Sequence, residues 1–205
     1  DHSDVVELLL AHKGREVVDV NARCKDGSTI LHYTAQQGNV ESVRLLLGQK
    51  DIKVNAGILH DTNGAKSKVG QTALHFAALM GHDDVVEELL RHGANPDIHG
   101  ANGKTPLIIA AQEGHVELVK LLIEAGANKD SATTTSATPM LIAAQFGQVD
   151  VIQILIESGA DMDAANIEDS TPIYIAAHRS RDRFPLLRFF PEAVRKLNSD
   201  FCGFR

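Results

Sequence analysis

The chain has 205 residues, 43% of them apolar, which suffices for a packed body. Its net charge of −7 argues against a phosphate backbone as main partner, and no apolar run approaches the roughly 18 residues of a membrane span. The two cysteines, Cys24 and Cys202, lie near opposite ends, form no disulfide framework and fit a reducing compartment.

The chain opens Asp1-His2-Ser3, without an initiating Met or an export signal, and reads as a fragment or processed chain. Val5, Val6, Leu9 and Leu10 have the spacing of one helical face. Threonines then recur at 29, 72, 105, 138 and 171. The last three intervals are 33 residues; the first is 43, or 33 plus ten. A fixed period of this size predicts a stack of similar units rather than a closed globule.

Each threonine opens a first helix: Thr29-Ile30-Leu31-His32, Thr72-Ala73-Leu74-His75, Thr105-Pro106-Leu107-Ile108, Thr138-Pro139-Met140-Leu141 and Thr171-Pro172-Ile173-Tyr174. Thr is a good N-cap, and Pro is tolerated at the first helical position. Ala35 and the pairs Ala77-Ala78, Ala110-Ala111, Ala143-Ala144 and Ala176-Ala177 let helices approach closely. Gly38, Gly81, Gly114 and Gly147 stop the first helix. A second helix follows, with one apolar face formed by Val85, Val86, Leu89 and Leu90, then Leu118, Val119, Leu122 and Ile123, then Val151, Ile152, Leu155 and Ile156. Gly-Ala steps at 93, 126 and 159 end it. Turn-rich stretches such as Asn95-Pro96-Asp97 and Asn102-Gly103 lead to the next threonine.

As a set, these steps resemble the ankyrin repeat. The resemblance covers about residues 1–178 and implies an all-α solenoid of helix-turn-helix units with projecting hairpin fingers, about five to six repeats. The units read as 1–22 (partial), 23–66, 67–99, 100–132, 133–165 and 166–190 (atypical). Residues 1–178 form the repeat domain and 179–205 a C-terminal cap or tail. The ten extra residues fall mostly in Gly57–Lys68, around the turn-like Asp61-Thr62-Asn63-Gly64, and predict an enlarged finger. The tail carries five of the seven Phe residues and a charge of +4, against −11 for residues 1–178. It reads as a cover for the last repeat's apolar face.

No catalytic, metal or cofactor site is expected. His32 and His75 belong to the Thr-x-x-His step, and His82 and His115 to the turn between helices. None of the ten histidines pairs with Cys at a zinc-like spacing. Gly100-Ala101-Asn102-Gly103-Lys104-Thr105 lacks the first Gly of a phosphate loop and follows no strand. No nucleophile elbow is present.

Family resemblance implies binding of a protein partner through finger tips and the ends of first helices. Carried onto this sequence, the candidate protein-binding residues are Val69, Gln71, Leu79, Met80, Asn102, Lys104, Gln112, Glu113, Gln145 and Phe146. Leu79, Met80 and Phe146 stand out as large apolar side chains at expected surface positions. The resemblance also marks Asn21 and Asn55, in Val-Asn-Ala steps, as family-type hydroxylation positions. The expected molecule is a monomeric interaction module or scaffold of the cytoplasm or nucleus, with no nucleic acid, no membrane insertion and no enzymatic activity. The alternative is a recruiting domain of a larger enzyme or effector.

Overall fold

A computed structural model describes residues 19–59 and 68–179. Residues 1–18, 60–67 and 180–205 lie outside the described residues. With them go the expected helix of the first unit, the turn core of the insertion and the C-terminal cap. Nine α-helices occur among the described residues: α1 (Ile30–Gln37), α2 (Val40–Leu47), α3 (Ala73–Met80), α4 (Asp83–Arg91), α5 (Pro106–Glu113), α6 (Val116–Glu124), α7 (Pro139–Phe146), α8 (Val149–Glu157) and α9 (Pro172–Arg179).

Local chemistry sets these boundaries. Thr29, Thr72, Thr105 and Thr138 are the N-caps of α1, α3, α5 and α7, each with extended backbone. The Thr105 and Thr138 hydroxyls accept from the amides of Ile108 and Leu141, both at 3.3 Å, relieving donors that the first turn leaves unpaired. Pro106 and Pro139 follow at no cost in hydrogen bonds. Gly81 ends α3 at φ +71°, in the left-handed region where a side chain is strained.

The helices form two layers. Among the first helices, α1 packs on α3, α3 on α5, α5 on α7 and α7 on α9. Among the second, α2 packs on α4, α4 on α6 and α6 on α8. One apolar core runs the length of the stack, from Leu31 to Ala176. Ala77, Ala78, Ala110, Ala111, Ala143 and Ala144 are buried between the layers, so small size is what close approach needs there. Val85, Val86, Leu89, Leu118, Val119, Leu122, Ile152 and Leu155 are sealed from water on the outer layer's inward face. Burying each such aliphatic side chain contributes about 1.5–3 kcal/mol. Because every unit leaves apolar surface on its two flanks, this burial exists only when neighbours are stacked.

Polar contacts fix the register between units. The Nε2 of His82 donates to the Gln36 carbonyl at 3.1 Å, and that of His115 to the Leu79 carbonyl at 3.3 Å. Gln148 does the same to the Gln112 carbonyl at 3.0 Å. Each acceptor lies in the last turn of a first helix, where carbonyls have no intrahelical partner. On the outer layer, the buried Glu88 of α4 accepts from Arg44 of α2 at 3.1 Å and from Arg91 at 2.8 Å. Every buried side-chain polar atom among the described residues has a partner.

The ten extra residues leave this register untouched. The His32 ring bonds the Gln71 carbonyl 39 residues on, while His75 bonds the Lys104 carbonyl 29 residues on. The two separations differ by the length of the insertion. Its base is tied down: Ile58 N–H donates to the Gln71 carbonyl and Gly70 N–H to the Ile58 carbonyl, at 3.0 and 2.8 Å. Ile58 itself is buried, at 2% exposure, which its place in a loop-like sequence did not suggest.

A Cβ on Gly81 would meet the His115 ring at 2.7 Å, whereas one on Gly159, also left-handed, would meet nothing within 4 Å. Both Gly→Ala changes should cost about 1–2 kcal/mol from backbone strain. Gly81→Ala should cost about 1 kcal/mol more, because His115 must leave its carbonyl. Urea unfolding of both variants, alone and in a His115→Ala background, checks this; the surplus should vanish in the double variant.

Candidate functional site

The last three described fingers are short hairpins that turn through the left-handed region, at Asn102 and Gly103 in the first of them and at one residue in each of the others. Gly100 N–H bonds the Lys104 carbonyl, Thr133 N–H the Ala137 carbonyl and Asn166 N–H the Ser170 carbonyl, at 2.8, 3.1 and 3.1 Å. Asn102, Ser136 and Asp169 make the turn with φ between +55° and +59°; Asn and Asp tolerate this better than most residues. Adjacent tips are joined by backbone: Thr134 N–H donates to the Asn102 carbonyl at 3.0 Å and Ile167 N–H to the Thr135 carbonyl at 3.2 Å. The last three fingers therefore make one continuous edge.

At the finger bases a second ladder runs from unit to unit. Asn21 donates to the Asp51 carbonyl and accepts from Lys53 N–H, both at 2.8 Å. Asn55 donates to the Gly93 carbonyl at 3.1 Å and accepts from Asn95 N–H at 2.8 Å. Asp97 and Asp130 accept from the amides of Asn128 and Asp161 at 2.7 and 2.8 Å. The two asparagines marked as hydroxylation positions thus spend both ends of their side-chain amides on stacking.

Buried histidines hold the early fingers against the first helices. Thr72 N–H donates to Nδ1 of His75 at 3.1 Å, so the ring proton sits on Nε2, which donates to the Lys104 carbonyl at 3.0 Å. His32 repeats the arrangement with Thr29 and Gln71. Burial pushes the His75 pKa down to about 4, and that of His32 in the same direction, because the charged ring would lose its water. In the next two units Ile108 and Leu141 hold this position, packed with Ala137 and Ile142 in a small apolar cluster. The polar bridge gives way there to contact alone.

The candidate residues divide by environment. Leu79 and Met80 end α3 and are 36% and 43% exposed; Phe146 ends α7 and is 52% exposed; Val69, three residues before the Thr72 cap, is 38% exposed. The Gln71 side chain is half-buried and its carbonyl already accepts from His32 and Ile58. Asn102 is an exposed tip. Lys104 lies along α5 and donates through Nζ to Oε1 of Gln112, whose Nε2 donates to Oε1 of Glu113 at 2.7 Å. Gln145 is half-buried and shares the register of Gln112, seven residues past the threonine. Leu79 and Met80 adjoin in sequence and space, while Phe146 lies two first helices away from them.

Other exposed side chains join the same surface. Tyr33 of α1 donates its phenol to Asp26 at 2.6 Å, tying the first finger to the first helix. That bond holds the Asp26 carboxyl below its usual range and lifts the Tyr33 phenol above its own. Tyr33 shares the register of Phe76, four residues past the threonine, but Phe76 is buried, so register alone does not mark Tyr33 as surface. Ile167, at 68% exposure, tops the last described finger.

Acidic side chains converge elsewhere. Asp83, Asp84, Glu87, Glu117 and Glu124 line an open trough between α4 and α6 on the outer layer, where Lys120 pairs with Glu117 at 2.8 Å. Among the described residues no group of three His, Cys, Asp or Glu side chains is placed to hold a metal ion. No helix there is long and apolar enough to cross a membrane.

Stacked helix pairs joined along a ladder of fingers define a helical repeat protein. The family model "Ankyrin repeats (3 copies)" matches residues 1–58 and 55–133, and "Ankyrin repeats (many copies)" matches residues 137–190. The chain belongs to the ankyrin-repeat family, whose repeats are generally non-catalytic protein–protein interaction modules. It is 31% identical over 91 residues to an ankyrin repeat protein of Rickettsia bellii, covering 44% of this chain and 43% of that one. It is 38% identical over 79 residues to human transient receptor potential cation channel subfamily A member 1, covering 38% and 6%. It is 46% identical over 67 residues to mouse oxysterol-binding protein-related protein 1, covering 32% and 7%. The chain thus spans less than half the length of each of these relatives.

The histidine bridges predict a pH dependence. A His whose folded pKa lies below its unfolded value of about 6.5 binds more protons when unfolded, so stability rises with pH through that window. For His75 the contribution is fully present above pH 6.5 and lost progressively toward the folded value of about 4. The loss should be roughly 3 kcal/mol, an order-of-magnitude figure. Chemical denaturation at pH 7.5, 6, 5 and 4.5 should show it, and His75→Leu, which copies the Leu141 arrangement, should flatten the slope.

Proposed function

We propose that this chain is a protein-binding module that seats a partner on its concave face, formed by the finger tips and first-helix ends. The residues offered as the docking surface are Val69, Gln71, Leu79, Met80, Asn102, Lys104, Gln112, Glu113, Gln145 and Phe146. The observation that carries the reading is the pairing of Leu79 with Met80, and Phe146 beyond them, as exposed large apolar side chains on the first helices. The equivalent positions in α1 are Gln36 and Gln37, so the fold itself does not demand apolar residues there. Clustered apolar surface with a polar surround is typical of binding sites, and an unbranched Met adapts to a partner's shape. A monomer acting in the cytoplasm or nucleus fits this reading, with an exposed free thiol at Cys24 consistent with a reducing compartment.

A second reading is favoured by the relatives. The matched region makes up only 6–7% of the channel and the oxysterol-binding protein-related protein. The same surface then serves as the recruiting part of a larger enzyme or effector, with chemistry supplied by another domain.

Changing Leu79→Arg together with Phe146→Arg puts two charges on the docking surface without touching the buried core. Quantitative pull-down from lysate, with folding verified by circular dichroism, should show partner capture falling at least about tenfold. Unchanged capture by a folded double variant would remove this surface from consideration.

A further inference from the structure

Met80, Glu113 and Phe146 are the final residues of α3, α5 and α7, each eight positions past its threonine. The three helices pack in succession. Their last side chains therefore form a row across the concave face, in the order apolar, acidic, apolar, and all three are exposed. With neighbouring helix axes about 8–10 Å apart, the row spans roughly 16–20 Å.

None of these choices helps the helix that bears it. A carboxylate at a helix C-terminus faces the negative end of the macrodipole. Glu113 has no cation within ion-pair distance among the described residues. The Lys104 ammonium is spent on the neutral Gln112, which in turn donates to Glu113. The relay fixes where the carboxylate sits and leaves its charge unmatched. Gln148 steadies the same segment by bonding the Gln112 carbonyl.

We infer that this row receives an extended, polyproline-II segment of the partner protein, presenting an apolar, a basic and an apolar side chain at intervals of three residues. The proposal rests on the concave-face reading above and adds the chemistry of the occupant. Its charge follows from Glu113, and its anchors from Leu79–Met80 and Phe146. Its conformation follows from pitch: a polyproline-II chain returns to the same edge every three residues, about 9.3 Å on, within the spacing of the helices beneath. A β-strand returns to the same face after about 6.7 Å and falls out of step by the third contact. An α-helix returns after 5.4 Å, or after about 10.8 Å for two turns, which misses in both cases.

The test measures binding of the full chain to fluorescent synthetic peptide pools with randomised flanks and fixed cores. The cores are Leu-x-x-Arg-x-x-Leu, its Glu-centred counterpart, the strand-spaced Leu-x-Arg-x-Leu, and a helical pool with the same residues seven apart. The first pool should bind at least about tenfold tighter than each of the others. Glu113→Lys should reverse the preference between the Arg-centred and Glu-centred pools, Glu113→Gln should nearly abolish it, and Phe146→Ser should weaken the first pool. Equal binding of the Arg-centred and Glu-centred pools, a preference for strand or helix spacing, or no binding by any pool overturns the inference. If that happens while Leu79→Arg with Phe146→Arg still abolishes capture of a protein partner, the peptide chemistry falls and the docking face stands. If the capture is also unaffected, both fall.

Discussion

Each repeat leaves polar groups open that only the next repeat closes. The last turn of a first helix exposes carbonyls without partners; His82, His115 and Gln148 reach back from the following unit to meet them. The Thr-x-x-His ring sends its remaining proton forward to the carbonyl that precedes the next threonine. At the finger bases Asn21, Asn55, Asp97 and Asp130 reach the next unit's backbone. Apolar burial supplies the bulk of the driving force, but burial is non-directional. These bonds are what hold one unit against the next at a single register, and they do so across an insertion of ten residues.

That division of labour explains where the surface is free to vary. The helix-end and finger-base positions that bond the neighbouring unit's backbone are His, Gln, Asn or Asp, and the positions between the layers are Ala or aliphatics. The side chain eight residues past the threonine does neither. It is Gln37, Met80, Glu113 and Phe146 in successive helices, a sequence of unlike groups on a nearly constant backbone. Side chains can change there without breaking the bonds between units.

Most of the architecture was legible because it is periodic. The threonine ladder, the Gly stops and the paired aliphatics each carry a local physical reason and agree with one another. Single-copy features were harder. Ile58 sits in a stretch rich in turn residues and gives no periodic cue, yet it is buried by bonds to Gln71 and Gly70 that span the insertion. The Thr-x-x-His step places His32 and His75 locally, but the carbonyl each ring bonds is 39 or 29 residues away, beyond what spacing shows. The exposure of Leu79, Met80 and Phe146 was anticipated from the family resemblance. The Lys104–Gln112–Glu113 relay was not, since side-chain reach along a helix depends on rotamers that spacing alone does not fix.

The backward direction of the helix-end bonds has a consequence for biosynthesis. A ribosome releases this chain from its N-terminus, so α1, α3 and α5 emerge before the side chains that close them. When residues 82, 115 and 148 leave the exit tunnel they find the preceding helix end already present and waiting. During synthesis each of these three segments therefore brings with it the group that can secure the helix end made before it.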